Sequence, residues 1–174
     1  LPSSMRPSRQ MPAAGKPSGT HPQALNLGPV LGVDDDEFVC TLIARQLKEI
    51  GATDVTALCD AVAAGALLRS APPFAMIVCD LRMPGVDGIQ LLRDIAAHQP
   101  KAAVLLITAL DRKVLTAAEE LGRARSLRIL GGVRKPVSIK DLRTFIALAV
   151  QAPAEVAVRN TLRDPTAEEL RHAI

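Results

Sequence analysis

From residue 29 onward, short continuous apolar runs alternate with longer stretches in which apolar residues recur every third or fourth position. The runs "PVLGV" (29–33), "TDVTAL" (53–58), "FAMIVCD" (74–80), "AAVLLIT" (102–108) and "LRILGGV" (127–133) read as buried strands, the last weakened by its glycines. Between them the spacing predicts helices. The first runs from Asp36 to Ile50 with Val39, Ile43, Leu47 and Ile50 on one face, closed by Gly51. The second spans 60–70 and stops before Pro72-Pro73. The third opens at Asp87 as N-cap, with Gln90 three residues on, and continues through Ile89, Leu92 and Ala96. The fourth is capped by Asp111 and carries Val114, Ala118 and Leu121. The fifth starts on the capping box Ser138/Asp141 and carries Leu142, Phe145, Ile146 and Ala149. Strict alternation of strand and helix predicts an α/β fold, a parallel sheet covered by helices on both faces.

The flanks break this pattern. Residues 1–28 are rich in Pro, Ser and Gly, lack an apolar period and read as a disordered leader. Residues 151–165 read as a linker, and residues 166–174 as the start of a capped helix cut short, as in a piece of a longer protein. The net charge of +3 dissolves when apportioned: residues 29–150 hold 15 basic and 14 acidic side chains. No basic face for nucleic acid is indicated. Without Trp or Tyr there is no aromatic platform for stacking bases or sugars. No apolar run is long enough to span a membrane. Cys40, Cys59 and Cys79, widely spaced in apolar surroundings, fit small buried hydrophobes in a reducing cytoplasm better than disulfides or zinc ligands.

In open parallel sheets, chemistry collects outside the carboxyl ends of the strands. This chain places Asp34, Asp35 and Asp36 after the first strand, Asp80 at the end of the third, Thr108 at the end of the fourth and Lys135-Pro136 just beyond the fifth. Asp36 is an ordinary N-cap. Asp34 and Asp35 precede the helix, and carboxylates crowded with Asp80 must hold a proton or share a cation. Several carboxylate oxygens suit a hard divalent ion such as Mg²⁺. Beside such an ion Asp80 is a plausible nucleophile towards phosphorus, while Thr108 and Lys135 can each meet a phosphoryl oxygen.

"VDDDE", "DLRMPGVDG", "ITAL" and "KPVS", across about residues 29–150, together resemble the receiver domain of bacterial two-component response regulators. The resemblance implies a doubly wound, flavodoxin-like sheet of five parallel strands in the order 2-1-3-4-5. It implies that Asp80 is the phosphoacceptor, charged by a histidine kinase or phosphotransfer protein. It further implies that Asp34, Asp35, Asp80 and the backbone carbonyl of Arg82 hold Mg²⁺, and that Thr108 and Lys135 answer the phosphoryl group. Lys135-Pro136 matches a bond that is often cis in the family. One position departs from the pattern: where an aromatic residue commonly stands three positions before the lysine, this chain has Gly132, so its output needs another route, and strand five is expected to be loosened or shortened.

Such domains regulate an attached output domain and are not themselves enzymes. "PTAEELRHAI" (165–174) resembles the opening helix of EAL-type cyclic-di-GMP phosphodiesterases, and "RILGGVRKP" resembles receivers joined to them. An ordinary capped helix serving a homodimer is the competing reading of that segment. Two other functions compete with the phosphoacceptor. A haloacid-dehalogenase-like phosphohydrolase would also attack from a strand-end Asp, but carries a second acid where this chain has Arg82. A degenerate receiver used only for protein interaction is opposed by the intact acids, Thr108 and Lys135. Nucleotide-binding glycine motifs are absent.

Overall fold

The structure is a computed structural model that describes residues 27–83 and 86–151, apart from the side chains of Val86 and Asp87. The linker, the terminal helix and most of the expected leader lie outside the described residues. Leu27, placed with the leader by composition, is buried in the core.

Five parallel strands, β1 (Val30–Val33), β2 (Val55–Leu58), β3 (Met76–Asp80), β6 (Ala103–Thr108) and β7 (Arg128–Arg134), form one sheet in the order β2-β1-β3-β6-β7. A two-stranded antiparallel ribbon, β4 (Arg82–Met83) with β5 (Val86–Asp87), flanks Pro84-Gly85. Leaving that ribbon aside, the order is the 2-1-3-4-5 of a doubly wound sheet. The strict alternation of side chains along each strand divides the core in two. Ile77, Cys79, Val104 and Leu106 face one cluster, covered by α2 (Ala61–Ser70), α3 (Gly88–His98) and α4 (Arg112–Ala124). Met76, Val78, Leu105 and Ile107 face the other, covered by α1 (Glu37–Ile50) and α5 (Ile139–Val150). Both faces of β3 and β6 are therefore dry, as their unbroken apolar sequence requires. Among the described residues no helix is long and apolar enough to cross a membrane.

Local signals set most helix ends. Asp36, Asp60 and Asp111 accept from backbone N–H groups of the first turns of α1, α2 and α4. Ser138 and Asp141 form the expected capping box on α5. Gly51 ends α1 in the left-handed region with φ 110°, and its N–H and that of Ala52 close on the last turn. At α3 the side chain of Asp87 is outside the described set, and with it the expected cap; Gln90 donates to Asp94 Oδ1 at 3.3 Å.

Two helical faces are rotated from the sequence expectation. On α3 the buried positions are Gly88, Leu91, Leu92 and Ile95, with Ile89 37% exposed. On α4 they are Leu115, Ala118 and Gly122, with Val114 43% exposed. Each helix offers two apolar stripes one residue apart, and periodicity alone does not choose between them. Strand β7 is not shortened; at seven residues it is the longest strand of the sheet. It does carry an irregularity, because Val104 pairs with Ile129 and Leu105 with Gly131, leaving Leu130 as an extra residue. Of the cysteines, Cys40 and Cys79 are buried and Cys59 is exposed, which corrects the expectation for Cys59, and all three are free thiols. Cys59 follows the edge strand β2, at the rim of the sheet.

Candidate phosphoryl and metal site

Register brings the site together. Val33 lies beside Cys79, Asp80 beside Ile107 and Thr108 beside Arg134. The residues at or just past these positions, Asp34, Asp80, Thr108 and Lys135, thus share one edge of the sheet. Asp34 and Thr108 are fully buried and Asp80 nearly so, whereas Asp35 is exposed. A cavity of about 560 Å³ opens over this edge, lined by Asp35, Asp36, Asp80, Arg82, Ala109 and Lys135, with Val39 and Met83 as its apolar wall.

Lys135 stands between the two buried acids. Its Nζ donates to Asp80 Oδ2 at 2.6 Å and lies 2.7 Å from Asp34 Oδ2. The other oxygens take backbone donors: Asp34 Oδ1 accepts from Asp36 N at 3.0 Å, and Asp80 Oδ1 from Arg82 N at 3.0 Å. Burial pushes the Asp34 carboxyl above its ordinary value; the Lys135 ammonium and the Asp36 N–H offset only part of this. Burial alone would pull Lys135 down, but its bonds to Asp34 and Asp80 override that and hold its ammonium above the usual lysine value. Lys135-Pro136 is cis, and Lys135 N donates to Thr108 O at 2.9 Å, tying the end of β7 to the end of β6.

Asp34, Asp35 and Asp80 can each present one carboxylate oxygen within 4.8 Å of the others. Asp34 Oδ2 is buried with no well-angled hydrogen bond among the described residues, and only the Lys135 charge meets it. An all-oxygen set with one oxygen left short of donors fits a hard divalent cation. Thr108 is placed apart from this group. Its hydroxyl is engaged locally, accepting from Leu110 N at 3.1 Å. Arg82 lines the cavity and is fixed by the ribbon through its pairing with Asp87.

Two supports of the site escaped the sequence reading. Cys40 on α1 donates its thiol to Asp34 O at 3.2 Å and lies 3.3 Å from Leu58 O, pinning the loop that carries the acids. Its thiol is pushed up to about 12 by burial and by the neighbouring Cys59, so it acts as a neutral donor. Gly88 is the other: a Cβ there would stand 2.7 Å from Leu81 Cα and 2.8 Å from Leu81 C, with Leu81 O nearer still. Only glycine lets α3 begin against the backbone that leaves Asp80. The signal for Gly88 was its place in "DLRMPGVDG"; Cys40 left none beyond an apolar setting.

A doubly wound sheet thus gathers three aspartates and a lysine at its carboxyl edge. The profile of the response regulator receiver domain matches residues 30–147, and the chain belongs to that family. It is 35% identical over 94 residues to Protein CcdB of Bacillus subtilis, covering 53% of this chain and 78% of that protein. To the cyclic di-GMP phosphodiesterase RocR of Pseudomonas aeruginosa it is 26% identical over 117 residues, covering 67% of this chain and 30% of RocR. A response regulator from Colwellia psychrerythraea superposes with a TM-score of 0.61 at 30% identity, covering 72% of this chain and 98% of that one. Receiver domains are regulatory, bind Mg²⁺ at an acidic pocket, interact with histidine kinases or phosphotransfer proteins and carry output domains.

Proposed function

We propose that this protein is switched by Mg²⁺-dependent phosphorylation of Asp80. The observation that carries the reading is the Lys135 ammonium held at 2.6 Å and 2.7 Å from two acids that the fold buries at one strand edge. Asp34, Asp35, Asp80 and the Arg82 carbonyl would hold the ion, which when bound supplies positive charge against the phosphoryl oxygens. The chain's own residues do the rest. Arg82 N–H orients the Asp80 carboxylate through Oδ1. An Asp80 oxygen forms a bond to phosphorus as the donor's P–N bond breaks, and the leaving imidazole nitrogen takes up a proton. Lys135 then passes from the carboxylate to a phosphoryl oxygen, and the Thr108 hydroxyl turns to donate to another.

The test is phosphoryl incorporation from acetyl phosphate with Mg²⁺. Wild type is expected to label and Asp80→Asn to stay unlabelled; equal labelling of the two would refute the assignment. The phosphoryl donor in the cell is a histidine kinase or phosphotransfer protein, and the setting is cytoplasmic. Residues 151–165 serve as the linker to an output domain that begins at 166–174. That output is a cyclic-di-GMP phosphodiesterase of EAL type, a reading supported by the similarity to RocR and by "PTAEELRHAI". Hydrolysis of cyclic di-GMP by the full-length gene product, measured before and after phosphorylation, tests it. No hydrolysis in either state would remove the output assignment and leave the receiver intact.

A further inference from the structure

Two of the free thiols meet beside the loop that carries Asp34 and Asp35. Cys40 lies on the inner face of α1 at 4% exposure, while Cys59 stands exposed in the turn between β2 and α2. Strand register brings these segments together: Val33 pairs with Leu58, and Asp34 N donates to Leu58 O at 3.2 Å. The Cys40 sulfur sits 3.3 Å from Leu58 O, and the carbonyl carbon behind that oxygen is bonded to Cys59 N. One peptide unit therefore separates the Cys40 sulfur from the Cys59 backbone, and the two thiols are within hydrogen-bonding reach of each other. Side chains that already face each other meet the main geometric demand of a disulfide, and the exposed Cys59 can supply the remaining approach by rotating about its own Cα–Cβ bond. Cys79 has no such freedom. It is 1% exposed in the core beneath α2, α3 and α4.

Cys40 donates its thiol to Asp34 O at 3.2 Å, a bond that needs the thiol hydrogen. We infer that Cys40 and Cys59 form a thiol–disulfide site, and that closing it unlatches the loop carrying Asp34 and Asp35. The co-reactant is a low-molecular-weight disulfide, such as that of glutathione. Cys59, exposed, attacks one of its sulfurs as the thiolate; a mixed disulfide forms as the external S–S bond breaks, and one thiol leaves. The Cys40 sulfur then attacks the Cys59 sulfur and displaces the second thiol. Both cysteine protons end on the departing thiols, so two protein thiols are oxidised and one external disulfide is reduced. Burial first, and then the Cys59 thiol, push Cys40 up to about 12. The influence of the Cys59 thiol ends once that sulfur is in a mixed disulfide, so the first step readies the second. In the product neither sulfur carries hydrogen, and Asp34 O has lost its Cys40 donor. In a reducing cytoplasm such a bond is transient, as a sensor requires. Its effect on Mg²⁺ and on labelling rests on the site reading above; the disulfide itself does not.

The test treats the protein with glutathione disulfide, which unlike a peroxide leaves Met83 in the cavity wall unoxidised, then blocks free thiols in denaturant and digests with trypsin. Arg45 and Lys48 lie between Cys40 and Cys59, so only a disulfide keeps their fragments together. The linked pair is expected in oxidised wild type and should vanish with dithiothreitol, while Cys79 is recovered as a blocked thiol. Calorimetric titration with Mg²⁺ should show affinity lowered severalfold by oxidation, with acetyl phosphate labelling slowed to match. Cys59→Ser should keep wild-type Mg²⁺ affinity with or without the oxidant. Cys40→Ala should show the lowered affinity with no oxidant present, and Cys40→Ser, which keeps a donor hydrogen, should bind Mg²⁺ more tightly than Cys40→Ala. No linked pair, or a pair that includes Cys79, overturns the disulfide site. A linked pair with unchanged Mg²⁺ affinity, or equal weakening by the oxidant in Cys59→Ser, overturns the latch. Absence of Mg²⁺ binding to the reduced protein overturns the latch together with the metal reading. Failure of the reduced protein to label overturns the phosphoacceptor reading alone, because the linked pair and the Mg²⁺ affinity are read without it.

Discussion

Replacing Lys135 by Met removes one positive charge and keeps most of the stem, so the result isolates what the ammonium does between Asp34 and Asp80. Two carboxylate oxygens within 4.8 Å of each other are then left facing without a counter-charge. At an effective dielectric of about 20 their repulsion is roughly 3 kcal/mol. Removing one partner of a buried ion pair costs about 3–5 kcal/mol, but the Lys135 side chain is 19% exposed and water will reach the gap, so we expect a loss of about 2–4 kcal/mol at pH 7. The loss has a definite pH dependence. Asp34 is already raised above 3.8 by burial, and deleting Lys135 removes a main influence holding it down. An acid raised in the folded state carries its proton there when the unfolded chain has given it up, so stability falls as pH rises through the folded value. The deficit should therefore be smaller at about pH 4 than at pH 7. In wild type, Lys135 has linkage of the same sign in a more alkaline window: its contribution is complete below 10.5 and is lost as pH rises through its raised folded value, a loss the variant cannot show. With no Trp or Tyr in the chain, urea unfolding is followed by far-ultraviolet circular dichroism. Mg²⁺ should recover more stability in Lys135→Met than in wild type. A deficit below about 0.5 kcal/mol at pH 7, or one that is equal at both pH values, would refute the shared-ammonium account.

Two further outcomes concern the frame of the site. Gly88→Ala drives a methyl into the Leu81 backbone and should cost about 1–3 kcal/mol in urea unfolding, with weakened acetyl phosphate labelling because Leu81 follows Asp80; unchanged labelling and stability would count against the close approach. Ser138→Ala should cost about 0.5–2 kcal/mol by opening the cap of α5. Asp141 is held below 3.8 by Ser138, so the cap's contribution is present above 3.8 and lost as pH falls through the lower folded value; an acid titration steeper in wild type than in Ser138→Ala checks the sign.

The sheet and the gathering of Asp34, Asp35, Asp80 and Lys135 at its edge were legible because they rest on local signals. Short continuous apolar runs bounded by turn signals read as strands dry on both faces, and the cap residues Asp36, Asp111 and Ser138 announce helices through their own side chains. The acids and Lys135 stand at strand ends, where a parallel sheet must bring them together. What the sequence hid depends on contacts between distant segments. The buried face of α4 is chosen by Gly122 receiving Ile129, and a glycine adds nothing to an apolar stripe. The bulge at Leu130 is a pairing fact, visible only beside Val104 and Leu105. Reading Gly132 as a weakness in β7 missed that its missing side chain is supplied by Leu115.

Arg128, the first residue of β7, donates to the carbonyl oxygens of Ala149, Leu148 and Gln151 at 3.1, 2.8 and 2.7 Å. Every acceptor is main chain, so the grip on the end of α5 is indifferent to which side chains stand there. Side chains at the exit can drift, and a different downstream segment can be joined there, without loosening the joint. The same strand that delivers Lys135 to the acids at one end thus offers, at the other, a coupling that fits many loads.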